Sequence, residues 1–244
     1  MEESDGSVFC RIGALGALLL LVCSVITLVL VVAIGGPPAT AEEAFALLQR
    51  NRLAGLLRLD ILTAVSMPAY YALFAGLYAA LQRTHRVYTI LAAVLAFIGV
   101  TLFLSTPSVL SIACLSDQHL AATTEARRAA LVAAGEALLA SDMWHSTAAF
   151  VGGILLETAC LLISVVMLRG AVFSKATGYV GVATHGLDLG HILAGLFAPT
   201  AGFVLMAAAG PLYLVWFLLV GGRLWRLGRA TPAASAARPA AGCA

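Results

Sequence analysis

The chain has 244 residues, 61% hydrophobic and 11% charged, with a mean hydropathy of +1.00 and a formal net charge of +2. Soluble domains carry roughly a quarter charged residues, so this composition excludes a soluble globular fold and points to one membrane domain in the lipid bilayer. The small net charge, with no basic stretch interleaved with aromatics, leaves no ground for a nucleic-acid partner.

In chain order, the first apolar run is Ile12 to Ile34, preceded by the acidic leader MEESDGSVFCR. Ala39-Thr40-Ala41 has the look of a signal-peptidase site, but the run is far longer than the roughly 7–15 residues of a signal core, so a retained first span is expected. Gly35-Gly36-Pro37-Pro38 stops the helix. A short amphipathic helix follows, with Glu42 and Glu43 in its first turn, where the helix dipole favours acids. It leads into span two, Leu53 to Leu81, and the basic turn Gln82-Arg83-Thr84-His85-Arg86 separates that from span three, Val87 to about Leu115.

The next stretch, Ser116 to Met143, reads as a long loop whose centre, EARRAALVAAGEALLA, is helical but too charged to span and is expected on the surface. Span four is Trp144 to Leu168, span five Lys175 to Phe197 and span six about Pro199 to Val220. The tail ATPAASAARPAAGCA lacks apolar periodicity and reads as disordered. The expected fold is therefore all-α, a polytopic bundle of six transmembrane helices with short extracytoplasmic surface helices. Residues 1–11 would be a cytoplasmic leader, 12–222 the membrane domain, and 223–244 a basic anchor and tail. Pro68, Pro107 and Pro211 fall inside spans and are expected to bend them.

Lys and Arg set the orientation. Arg11, Arg83, Arg86, Arg169, Lys175, Arg223, Arg226, Arg229 and Arg238 fall on one side; Arg50, Arg52, Arg58, Arg127 and Arg128 fall on the other. Both termini are thus expected in the cytoplasm of a cell-membrane protein, with Trp225 and Trp144 as interfacial residues. Of the five cysteines, Cys10, Cys23, Cys114, Cys160 and Cys243, none forms a CxxC; Cys23 and Cys160 read as small core residues.

Span five carries His185, Asp188 and His191, and ionisable residues at bilayer depth need a partner, a cavity or a function. Counting ~1.5 Å per residue from the cytoplasmic end gives Asp188 a depth of ~18 Å, His185 about 13–14 Å and Glu157 of span four about 16 Å. Glu157, His185 and Asp188 are therefore expected to form a buried ionisable cluster near mid-membrane. Asp60, His145 and His191 would continue it outward as a polar ladder, with Arg58 and Asp60 anchoring the outer end of span two. At ~100° per residue the three span-five residues share one face, while Gly186 and Gly190 form a GxxxG opposite, expected to pack closely against another helix.

The HxxDxxH spacing also invites a metal site, since His and carboxylate at i and i+3 can share an ion. His185 and His191 lie about 9 Å apart along the axis, so one ion would take only one of them, with Asp188 and a ligand such as His145. No cofactor is expected, and no nucleotide loop, GxSxG or HExxH is present. Three readings stay open: a small transport or permeation protein with a proton- or cation-responsive Glu157/His185/Asp188 cluster, an intramembrane metal-dependent hydrolase, or a non-catalytic partner or sensor subunit. A second copy of the chain or another membrane protein is open as partner.

From about Ala41 to Gly222, and most of all in the run Ile163 to Gly181, ISVVMLRGAVFSKATGYVG, the chain resembles a family of bacterial integral-membrane proteins about six helices long, grouped as a domain of unknown function. Met167-Leu168-Arg169, Phe173-Ser174-Lys175-Ala176 and Tyr179-Val180-Gly181 carry the likeness. It implies a six-helix membrane fold and brings no activity or site residue with it.

Overall fold

Local chemistry starts most helices. Thr40, Asn51, Asp60, Thr124, Ser146 and Ser174 each stand at a helix N-cap and accept a backbone N–H from inside the first turn, satisfying a donor that has no partner within the helix. The computed structural model describes residues 3–106, 108–142 and 145–229, and among these the chain is all-α without strands.

The helices are α1 (Glu3–Ile34), α2 (Ala41–Arg50), α3 (Arg52–Arg58), α4 (Ile61–Ser66), α5 (Ala69–Leu81), α6 (Arg86–Leu104), α7 (Val109–Ala121), α8 (Glu125–Leu139), α9 (Thr147–Arg169), α10 (Lys175–Gly195) and α11 (Pro199–Arg229). Among the described residues five segments are long and apolar enough to cross a membrane: Asp5–Ile34, Ile61–Leu81, Arg86–Ala121, Thr147–Arg169 and Pro199–Arg229. α10 is long enough, about 31 Å at 1.5 Å per residue, but Asp188, two histidines and five glycines make it too polar to count among them.

The long helices close into a ring. α5 packs on α1, α1 on α11, α11 on α10, α10 on α9, α9 on α6, and α6 returns to α5. Glycines set the closest approaches. A Cβ added at Gly13 of α1 would lie 2.8 Å from the Gly76 Cα of α5, and one added at Gly99 of α6 would lie 2.7 Å from the Gly152 carbonyl of α9. Such crossings are how membrane helices gain dispersion contact without a hydrophobic driving force between them. The ring interior holds Leu73, Phe74, Leu77, Ile163, Met167, Trp216 and Leu224, all essentially inaccessible. Cys160 and Cys23 are buried in the helices, as expected of core cysteines.

A second, smaller core sits at the end opposite the α5–α6 and α9–α10 turns. There Ala44, Phe45 and Leu48 of α2 meet Val109, Ile112 and Ala113 of α7, with Val132 and Leu138 of α8 against them. The chain is therefore helical through most of the stretch expected to be a long loop after Ser116. The third of the apolar segments, Arg86–Ala121, is two helices and not one. α6 stops at Leu104, where Ser105 and Thr106 turn back onto Leu102 and Phe103 carbonyls, and α7 joins the cap instead.

Other boundaries differ too. α1 begins at Glu3, so the leader is helical, and Arg11 Nε donates to the Gly228 carbonyl at 2.6 Å, tying the first helix to the last. Pro68 separates α4 from α5, whereas α11 runs unbroken through Pro211. α11 also continues to Arg229, whose guanidinium lies 4.9 Å from the Trp225 ring centroid. The expectations for Pro107, Trp144 and the tail from residue 230 fall outside the described residues.

Arg58, the last residue of α3, ties the linker after α1 to α2. Its Nε donates to the Gly36 carbonyl at 2.8 Å and its Nη2 to Glu43 Oε1 at 3.0 Å, while Glu43 Oε2 accepts the Ala39 N–H at 2.9 Å. The Ala39 N–H, then Arg58, hold the Glu43 carboxyl below its ordinary range. A depressed carboxylate contributes above its unfolded pKa and loses that contribution as pH falls through the folded one. Amide exchange at Ala39, corrected for intrinsic rates, should thus stay slow at neutral pH and speed up on acidification below pH ~4, and the acceleration should vanish in Glu43→Gln.

Candidate functional site in the ring interior

α9 and α10 are antiparallel and joined by the short turn Gly170 to Ser174, so residues equally far from that turn meet. Glu157 lies twelve residues before Arg169 and His185 eleven after Ser174. His185 Nδ1 is accordingly 2.8 Å from Glu157 Oε2, with His185 at 0% and Glu157 at 4% exposure. In the neutral imidazole tautomer whose Nδ1–H donates to the carboxylate, Nε2 keeps a lone pair. Among the described residues that Nε2 has no partner, nor has the Nε1 of Trp216.

α11 supplies the rest of the setting. Tyr213 and Trp216 stand edge-on to the His185 ring at centroid distances of 5.2 and 4.5 Å. The Tyr213 hydroxyl donates to Oδ2 of the half-buried Asp188 at 2.9 Å. Neither aromatic residue stands out in the sequence, yet helical rise could have found Tyr213. It is nine residues before Gly222, about 13–14 Å from the same end, the depth of His185.

A cavity of about 690 Å³ reaches this cluster from the capped end. His145 and Ser146 at the start of α9 line its mouth, Ser66 and Tyr70 one wall, and Glu157, Asp188 and Tyr213 its depth. His191 lines it as well, its Nδ1–H donating to the Gly202 carbonyl at 3.0 Å. His145 Nδ1 is 2.8 Å from Asp142 Oδ1.

Asp60 does not line the cavity. It caps α4 from a left-handed backbone conformation (φ 63°, ψ 39°), holding the Thr63 hydroxyl at 2.7 Å, and Thr63 lines the wall. Asp has a short side chain that tolerates this region by bonding locally. Of the expected residues, then, Glu157 and His185 bond directly, Asp188 joins them through the aromatic cluster, and His145 and His191 share their cavity. Among the described residues no three His, Cys, Asp or Glu side chains gather closely enough to hold one metal ion.

The expected packing role of Gly186 and Gly190 is not what α10 uses. A Cβ at Gly186 would meet nothing within 4 Å, and one at Gly190 only the end of Leu205. The close faces are Gly178, against Leu168, and Gly181, where a Cβ would collide with Ser164 Oγ and sit 2.5 Å from Trp216 Nε1. Gly181 is one turn from His185, so the packed face and the polar face coincide in this half of the helix.

No family model, curated protein or solved structure matches the chain, so its chemistry has to be read from this geometry.

Two positions probe the cluster. Gly181→Ala must displace Trp216 or Ser164 and is expected to cost about 1–3 kcal/mol in detergent unfolding, with a shift in tryptophan emission. Glu157→Ala, which leaves the His185 ring with both nitrogens unpartnered, should cost about 1–3 kcal/mol, while Glu157→Gln, which keeps a bond to Nδ1, should cost clearly less.

Proposed function

We propose that the chain is a six-span protein of the cell membrane, with α10 as its fifth span and both termini in the cytoplasm, and that it moves protons or small cations. The Lys/Arg distribution supports the orientation. The basic residues at the α5–α6 and α9–α10 turns and at the end of α11 outnumber those of the cap.

The observation that carries the transport reading is the cavity itself. It lies in the capped half of the ring and is lined by the buried Glu157 and the half-buried Asp188, beside a core in which Ile163, Met167 and Trp216 are wholly enclosed. A pocket that is open on one side, polar in its depth and closed below is a binding site in one state of an alternating-access device. Glu157 and His185 share a bond that protonation of either partner alters, and Asp188 lies one turn away with a phenol as donor. Such a group takes up or releases a proton when a second cation arrives, which is how the two movements would be coupled. The resemblance of the α9–α10 turn to a six-helix bacterial membrane family is in keeping with this architecture.

The test is flux. In vesicles carrying purified protein, Asp188→Asn is expected to reduce any proton-linked cation movement at least ten-fold while the protein still inserts and runs as wild type on gel filtration. Unchanged flux in that variant would remove Asp188 from the mechanism.

A further inference from the structure

We propose that the ligand of this cavity is a small organic cation, an ammonium group on a compact apolar body, with Asp188 as its counter-charge. The inference rests on the transport reading for the site and goes on to name what the site takes.

Size comes first. A volume of about 690 Å³ lies in the range of roughly 300–1,000 Å³ typical of small-molecule pockets. A water takes about 30 Å³, so a bare metal ion would leave most of the space unused. The walls then argue chemistry. Beside the hydroxyls of Ser24, Thr63, Ser66, Ser146 and Thr147, the lining holds the apolar side chains of Leu20, Phe103, Phe150, Leu156, Ile192 and Met206. An alkylated ammonium is content with them, because its methyl and methylene groups are themselves apolar.

Charge and aromatic faces complete the case. Glu157 and Asp188 are the acids of the lining, and no Lys or Arg lines it among the described residues. His145 and His191 are held by Asp142 and by the Gly202 carbonyl. Glu157 is engaged with His185, whereas Asp188 receives one phenol hydrogen bond, and a carboxylate has about four acceptor positions. Tyr70, Tyr213 and Phe217 line the same depth. Aromatic rings beside a carboxylate are the setting that selects ammonium ligands over neutral ones of the same shape.

The experiment uses full-length protein in lipid nanodiscs and isothermal titration calorimetry, with empty nanodiscs subtracted. The probes are benzyltrimethylammonium and its uncharged isostere neopentylbenzene. The wild-type protein should bind the cation saturably and at least ten times more tightly than the isostere, and Asp188→Asn should lose at least ten-fold. Sodium at 100 mM in place of lithium should leave the affinity unchanged. Equal affinity for the two probes, or no saturable binding, overturns the proposal without any variant having to fold. Competition by millimolar sodium overturns it in favour of an inorganic ion, and then the flux experiment on Asp188→Asn still decides the transport reading on its own.

Discussion

The bond between His185 and Glu157 allows the least apolar long helix to lie between two apolar neighbours. A charged side chain in the middle of a bilayer costs about 2.5–3.5 kcal/mol on insertion scales. A buried hydrogen-bonding group stripped of its partner costs about 1–3 kcal/mol. Neither group is therefore tolerable alone on its helix, while together they are bonded at 2.8 Å with the ring enclosed by Tyr213 and Trp216. The register of the α9–α10 turn decides whether this meeting occurs. Ser174 fixes it by capping α10, and the Lys175 ammonium reaches back to the Leu168 carbonyl across the turn. One misplaced residue in that turn would rotate His185 by about 100° away from its partner.

The ring arrangement follows from short connections and from glycine. Each hairpin makes its two helices antiparallel neighbours. The contacts of Gly13 with Gly76 and of Gly228 with Arg11 bring α1 against both α5 and α11, closing the circle. Six rods in a ring leave an axial space, and in the half near the turns it is filled by Leu77, Leu81, Ile163 and Trp216. In the other half the same space is the cavity. The difference lies in the outer parts of α10 and α11, which are poorly covered: Phe197 is 89% exposed and Gly186 faces open space.

Much of this architecture is legible in the amino-acid sequence. Apolar runs locate five spans because membrane helices must satisfy their backbone internally, which makes length and hydropathy sufficient signals. Depth counting brings Glu157 and His185 to one level because helical rise is nearly invariant. It reaches Tyr213 equally well, but a tyrosine in an apolar run draws no attention by composition. The GxxxG of Gly186 and Gly190 misleads because spacing identifies a smooth face and not which neighbour, if any, lies against it. The end of span three is hidden for a different reason. Val109, Ile112 and Ala113 are as apolar as a span, and only the partner face of α2, some sixty residues earlier, makes them a cap core.

The asymmetry of the cavity constrains any transport cycle. A site closed toward the α9–α10 turn can release a ligand there only if the plug of Met167 and Trp216 moves, and Trp216 is held by its fit against Gly181 and its edge contact with His185. His185 is at the same time bonded to Glu157. Protonation of Glu157, or its neutralisation by a bound cation, weakens the bond that positions the ring against which Trp216 packs. The ring bonded to Glu157 and the Trp216 indole are thus in direct contact. On the transport reading, coupling needs no long-range pathway: one imidazole touches both the acid and the gate.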